Sequence, residues 1–208
     1  MVLRVTEDPE FKSAGDPFGS NDPSSQEPRA PEPVQIPTAP LVPMPKLWIG
    51  HLLAIATFIG EIIAVSRHPE IIETRQFSFA APPLEIFLPA FVARVYWLVC
   101  VYRYHKILAA IPRYVHPISP AKAVGFHFIP FFNLYWIFAW PEAIAKFVNA
   151  RLGTPLMKGW VLGAGFIAAT LFQLLLDAGL GVALLFFATG YISGFLSRAL
   201  SIPQRAAE

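Results

Sequence analysis

The sequence predicts an all-α membrane protein: a helical bundle of four full spans plus one Pro-broken re-entrant or interfacial segment, behind a disordered N-terminal tail. Three observations predict it. Hydrophobic residues make up 55% of the 208 residues and charged residues only 14%, where a soluble domain carries about 25% charged residues. Apolar runs of about 20 residues, the length that crosses a hydrocarbon core, recur along the chain, and aromatic and basic residues stand at their ends. Mean hydropathy is +0.51, and a chain this small has too much surface to cover in water with so few charges.

Residues 1–45 read as the tail. They hold 10 of the 21 prolines and carry three basic against seven acidic residues, a net −4, while the rest of the chain carries +6. Such a stretch buries too little apolar area to offset its ordering entropy, and the run from Pro31 to Pro45 favours polyproline II. Its simplest role is a solvated tether; a docking peptide for a soluble partner is the alternative. Residues 1–40 show no basic-then-apolar leader pattern, so the first apolar helix is expected to act as an uncleaved anchor. The transmembrane domain is expected over 46–201, with 202–208 as a short C-terminal tail.

The first apolar segment runs from about Leu47 to Ser66, with Trp48 placed for the headgroup level. The second runs from about Leu84 to Tyr104. It opens after Pro82 and Pro83, with Pro89 in its first turns, where proline is best tolerated. Arg103, Lys106, Arg113 and Lys122 make the following loop the most basic in the chain, which places it, and the N-terminal tail, in the cytoplasm.

The third segment, Ser119 to Pro141, is unusual. Ser119 and Pro120 read as N-cap and first residue of a helix. Pro130 removes a hydrogen bond in mid-segment, and Asn133, one turn later, is placed to satisfy the freed backbone groups. Beyond Pro141 a loop is expected to carry Lys146, Arg151 and Lys158 against Glu142. A full crossing by 121–140 would put two basic loops on opposite sides, whereas a re-entrant or interfacial hairpin keeps both inside. The re-entrant reading is preferred, with five spans as the alternative. The last two segments, Trp160–Leu176 and Leu180–Leu200, are joined by Asp177-Ala178-Gly179 and read as a hairpin with its tip outside.

Two constellations stand out. Glu61 and Arg94 lie about 8 and 15 Å below the outer face at 1.5 Å per residue. A bare charge in lipid costs about 2.5–3.5 kcal/mol even on the lenient insertion scale, so an ion pair facing the bundle interior is expected, as a structural pin or as part of an ion path. Gly159-x-x-x-Gly163 and Gly190-x-x-x-Gly194 permit close helix approach, either between the last two helices or across a homodimer. Cys100, alone in the chain, reads as an inert packing residue. His51, His105, His116 and His127 show no metal-binding spacing, so no metal or cofactor is expected. No zincin, nucleophile-elbow, phosphate-loop or dinucleotide signature occurs, and no basic patch with stacking aromatics lies in a soluble segment. Neither an enzyme nor a nucleic-acid binder is expected.

Tyr102-Arg103-Tyr104, and Ser119-Pro120-x-x-Ala123-Val124-Gly125-x-x-Phe128-Ile129-Pro130-Phe131-x-Asn133-Leu134, resemble a bacterial multi-spanning membrane family catalogued as a domain of unknown function. The resemblance covers roughly 47–200 and is most specific at Pro130–Asn133. It implies a multi-pass protein of the bacterial cytoplasmic membrane and assigns no residue a catalytic role. The expected function is a non-enzymatic scaffold or accessory subunit whose partners are the bilayer, other membrane subunits or a soluble protein recruited by the tail. The alternative is a small transporter or channel component using Glu61, Arg94 and the broken helix.

Overall fold

The computed structural model describes residues 42–69 and 82–202. The tail up to residue 41, most of the link after Arg67, and residues 203–208 lie outside the described residues, and with them nearly all of the expected disordered tail. Among the described residues every regular element is helical. We number them α1 (Leu47–Arg67), α2 (Leu84–Ala109), α3 (Pro120–Gly125), a 3-10 turn (Phe126–Phe128), α4 (Phe132–Leu152), α5 (Gly159–Leu175) and α6 (Ala178–Ser201). Helices α1, α2 and α6 are each long and apolar enough to cross a membrane, and α5 is a shorter apolar helix.

The packing of α1 is inside-out relative to a helix of a protein folded in water. The residues α1 buries are Gly50, Ala54, Thr57, Gly60 and Ala64, spaced three or four apart so that they share one face. Its large apolar side chains, Leu52, Ile55, Phe58, Ile59 and Ile62, are half exposed. Small residues inside let backbones approach closely, while bulky side chains outside meet lipid tails. This pattern marks the chain as a membrane protein.

Helix α1 packs against both α2 and α6, α6 pairs with α5, and α5 pairs with α4. Glycine sets the closest approaches. A methyl group at Gly60 would collide with the Glu85 carbonyl oxygen at the start of α2, and one at Gly181 with the Gln173 backbone on α5. Overpacking a tight contact costs about 1–3 kcal/mol. Gly60→Val is therefore expected to lower the unfolding midpoint in detergent, where Gly165→Ala, at a site with open space, leaves it near wild type.

Helices α3 and α4 form a hairpin. The Ser119 hydroxyl accepts the Lys122 N–H at 3.3 Å and Pro120 occupies the first turn of α3, as the sequence predicts. The chain breaks at Ile129–Phe131, with Phe131 at φ +61°. The Trp136 indole N–H then reaches back to the Ala123 carbonyl at 2.9 Å and ties the two arms together. Farther along α4, Trp140 lies 6.0 Å from His105 and Phe147 lies 4.9 Å from Tyr114 between ring centres. So α4 runs back toward the end of α2 from which α3 departed.

Two expectations need correcting here. Helix α4 does not stop at Pro141 but continues to Leu152, so Lys146 and Arg151 are helical rather than in a loop. Pro141 is buried, with Trp140 and Ile144 fully buried beside it, and that packing outweighs the single backbone bond a proline forfeits. Asn133 does not serve the broken backbone with its side chain. Its Oδ1 accepts from His127 Nδ1 at 2.7 Å, while Phe132 N–H bonds the Pro130 carbonyl at 2.7 Å and Asn133 N–H bonds the Ile129 carbonyl at 3.1 Å.

Candidate functional site

The charges within the apolar helices come first, because each must have a partner. The Glu61 carboxylate on α1 accepts the Ala178 N–H at 2.5 Å and the Gly179 N–H at 3.3 Å. It thus caps the first turn of α6, where free amides and the helix dipole both favour an anion. Arg94 on α2 donates to Gln173 Oε1 at 2.6 Å and to Thr170 Oγ1 at 3.4 Å, both on α5. Its guanidinium also lies 5.6 Å from the Trp97 ring centre, a cation–π distance. The expected Glu61–Arg94 ion pair is therefore not formed. Each charge has a nearer partner, and both grip the α5–α6 hairpin. An ion pair that does form is Arg67–Glu85 at 2.7 Å, at the exposed junction of α1 and α2.

The glycine pairs are corrected in the same way. Gly159 and Gly163 face α4, where added methyl groups would strike the Glu142 backbone and the Phe138 ring; they do not join the last two helices. Gly190 meets only the Leu47 side chain, at an ordinary contact distance, and Gly194 has open space, beside Tyr191, Phe195 and Arg198 in a surface groove.

The feature that sequence reasoning missed lies between α2, α4 and the 3-10 turn. Trp97 on α2, His127 on the turn, Trp140 on α4 and Phe166 on α5 form one aromatic cluster. Trp97 is 5.0 Å from His127, 6.2 Å from Trp140 and 5.4 Å from Phe166. Trp140 is 6.3 Å from His127 and 5.3 Å from Phe166. His105, two turns beyond Trp97 on α2, extends the cluster toward the loop, where its Nδ1 is 2.7 Å from His116 Nε2. Trp97, Trp140 and His105 are 3%, 0% and 0% exposed.

Five ring nitrogens in this cluster are buried with no hydrogen-bond partner in the protein: Trp97 Nε1, His105 Nε2, His116 Nδ1, His127 Nε2 and Trp140 Nε1. Each such group costs about 1–3 kcal/mol if left unmet, and five together rival the roughly 5–15 kcal/mol that holds a domain folded. The sequence hid this cluster because its members come from four elements and a loop at no common helical period. The cue was that two of the five histidines, His116 and His127, flank or enter the broken segment. No group of three or more His, Cys, Asp or Glu side chains able to hold a metal is assembled among the described residues.

Outside the apolar helices, burial pushes the His116 imidazole down to about 4, below its ordinary value near 6.5. The unfolded chain then binds more protons than the folded one between those values, so stability is full above about pH 6.5 and falls as pH drops toward 4. Unfolding in detergent is expected to shift to a lower midpoint between pH 7 and pH 5. His116→Asn should flatten that part of the profile; an unchanged slope in the variant would count against this assignment.

No protein-family model, curated protein or solved structure matches the chain.

Proposed function

We propose that the protein is a non-enzymatic, multi-pass component of a bacterial cytoplasmic membrane, a scaffold or accessory subunit. In this reading α1, α2, α5 and α6 cross the bilayer, and the α3–α4 hairpin enters and leaves on one side. The 17 residues of α5 sit at the short limit for a span. The ends of α2 and α4 carry Arg103, Lys106 and Arg151, the intervening segment carries Arg113 and Lys122, and Arg198 closes α6; this basic end belongs in the cytoplasm. The resemblance around Pro130–Asn133 belongs to the same reading.

The observation that carries the proposal is the use made of the two intramembrane charges. A transport path needs charged groups free to meet a substrate, whereas Glu61 and Arg94 are both bonded to the α5–α6 hairpin. Their role is to fix the bundle, and the bundle then offers its outer faces to other membrane subunits and its acidic tail to a soluble partner. The test is purification of the full chain in a mild detergent, with liposome ion flux measured in parallel. A stoichiometric companion, with no solute flux altered by Glu61→Gln, is the expected result. A protein that purifies alone and carries a flux abolished by Glu61→Gln would make it a transporter.

A further inference from the structure

We propose that the ring nitrogens of Trp97, His105, His116, His127 and Trp140 are met by internal water, through which protons pass between His116 and His127. The chemistry of the unpartnered atoms selects the ligand. Indole nitrogens only donate, so Trp97 and Trp140 present two donors. His127 gives its Nδ1–H to Asn133 Oδ1, which leaves its Nε2 a bare acceptor in the neutral ring. In the His105–His116 pair one nitrogen donates and the other accepts. Whichever way that bond runs, one of the two outer nitrogens is a donor and the other a bare acceptor. The site therefore presents three donors and two acceptors. An anion could not serve the acceptors, and a metal ion could not serve the indoles. An aromatic face can receive an N–H but offers nothing to a lone pair. Water both donates and accepts, and buried water characteristically makes two to four such bonds.

The proton count closes. A proton delivered to His116 Nδ1 by the water that meets it releases the one on His116 Nε2 to His105 Nδ1. His105 gives its Nε2 proton to water, and water gives one to His127 Nε2. His116 and His105 are left neutral in the opposite tautomer, and one proton has moved from the loop to the turn. Reversal of the same steps restores the start. The charged and polar groups around His127 are Arg94, Trp97 and His105 from α2 and Asn133 and Trp140 from α4.

The structure supplies its own control. Trp136 is buried like Trp97 and Trp140, but its indole N–H is bonded to the Ala123 carbonyl. The experiment is NMR of the full chain in detergent with 15N-labelled tryptophan, the signals assigned by single Trp→Phe variants. Indole protons of Trp97 and Trp140 are expected to show direct magnetisation transfer from water and to exchange at least tenfold faster than that of Trp136. His116→Phe and His116→Asn should both slow exchange at Trp97 and Trp140 several-fold while the Trp136 signal keeps its protection, which reports an intact fold. Trp97 and Trp140 protons as protected as that of Trp136, with no transfer from water, would overturn the site. Fast exchange unchanged by both His116 variants would overturn the relay.

Discussion

Trp140→Ala is expected to cost about 3–5 kcal/mol of stability, the range for deleting a large buried aromatic. Trp140 joins four elements of the bundle. Trp140 is fully buried, stacks at 5.3 Å on Phe166 of α5, and meets Trp97 and His105 of α2 and His127 of the turn. Its loss opens a cavity at the point where α2, α4, α5 and the turn converge, and packed neighbours cannot collapse into it without shifting a helix. Trp140→Phe keeps most of the ring, so its cost should be well under half as large. Reversible unfolding in detergent followed by circular dichroism measures both. A loss below about 1 kcal/mol for the alanine variant would contradict the packing described, given that range for buried aromatics.

The second large effect concerns the intramembrane charges. Arg94→Ala removes charge-assisted bonds to Gln173 and Thr170 and is expected to cost about 1.5–3 kcal/mol. Glu61→Ala removes the carboxylate that caps α6, at about 0.5–2 kcal/mol. The two residues share no partner. Combining the changes should therefore be additive to within about 0.5 kcal/mol. A coupling energy above about 1 kcal/mol, the size seen for groups in direct contact, would mean that the two side chains pair after all. Gln173→Leu offers an independent check, because it should weaken the protein in the wild-type background and matter much less once Arg94 is alanine.

Much of the architecture was legible. The apolar runs beginning at Leu47, Leu84, Trp160 and Leu180 correspond to α1, α2, α5 and α6, because in lipid the length of an apolar run is itself a structural signal. The cap at Ser119–Pro120 and the break at Pro130 were legible because local chemistry fixes them: a hydroxyl beside free amides, and a ring where an N–H is needed. The continuation of α4 past Pro141 was not. The sequence displays the missing N–H but not the buried position that compensates for it. Helix α2 likewise runs five residues past the expected Tyr104, to Ala109, because His105, Ile107 and Leu108 turn inward and are buried.

The site was less legible than the fold. Pairing Glu61 with Arg94 followed from depth and sign alone, and neutral partners carry no such signature. Gln173, Thr170 and the amides of Ala178 and Gly179 compete as well as a carboxylate or a guanidinium would, and they come from helices that depth along α1 and α2 says nothing about. The glycine spacing at Gly159 and Gly163 correctly marks a close contact but cannot say which neighbour makes it. The imidazole–indole cluster depends on the α3–α4 hairpin folding back against α2, and no linear pattern encodes that arrangement.

The most direct test of the account is where the full chain goes when membranes are stripped at alkaline pH. A bundle whose α1 buries glycine and alanine while turning leucine, isoleucine and phenylalanine outward must stay in the lipid pellet and come away only with detergent. Release into the supernatant as a monodisperse species in plain buffer would contradict it.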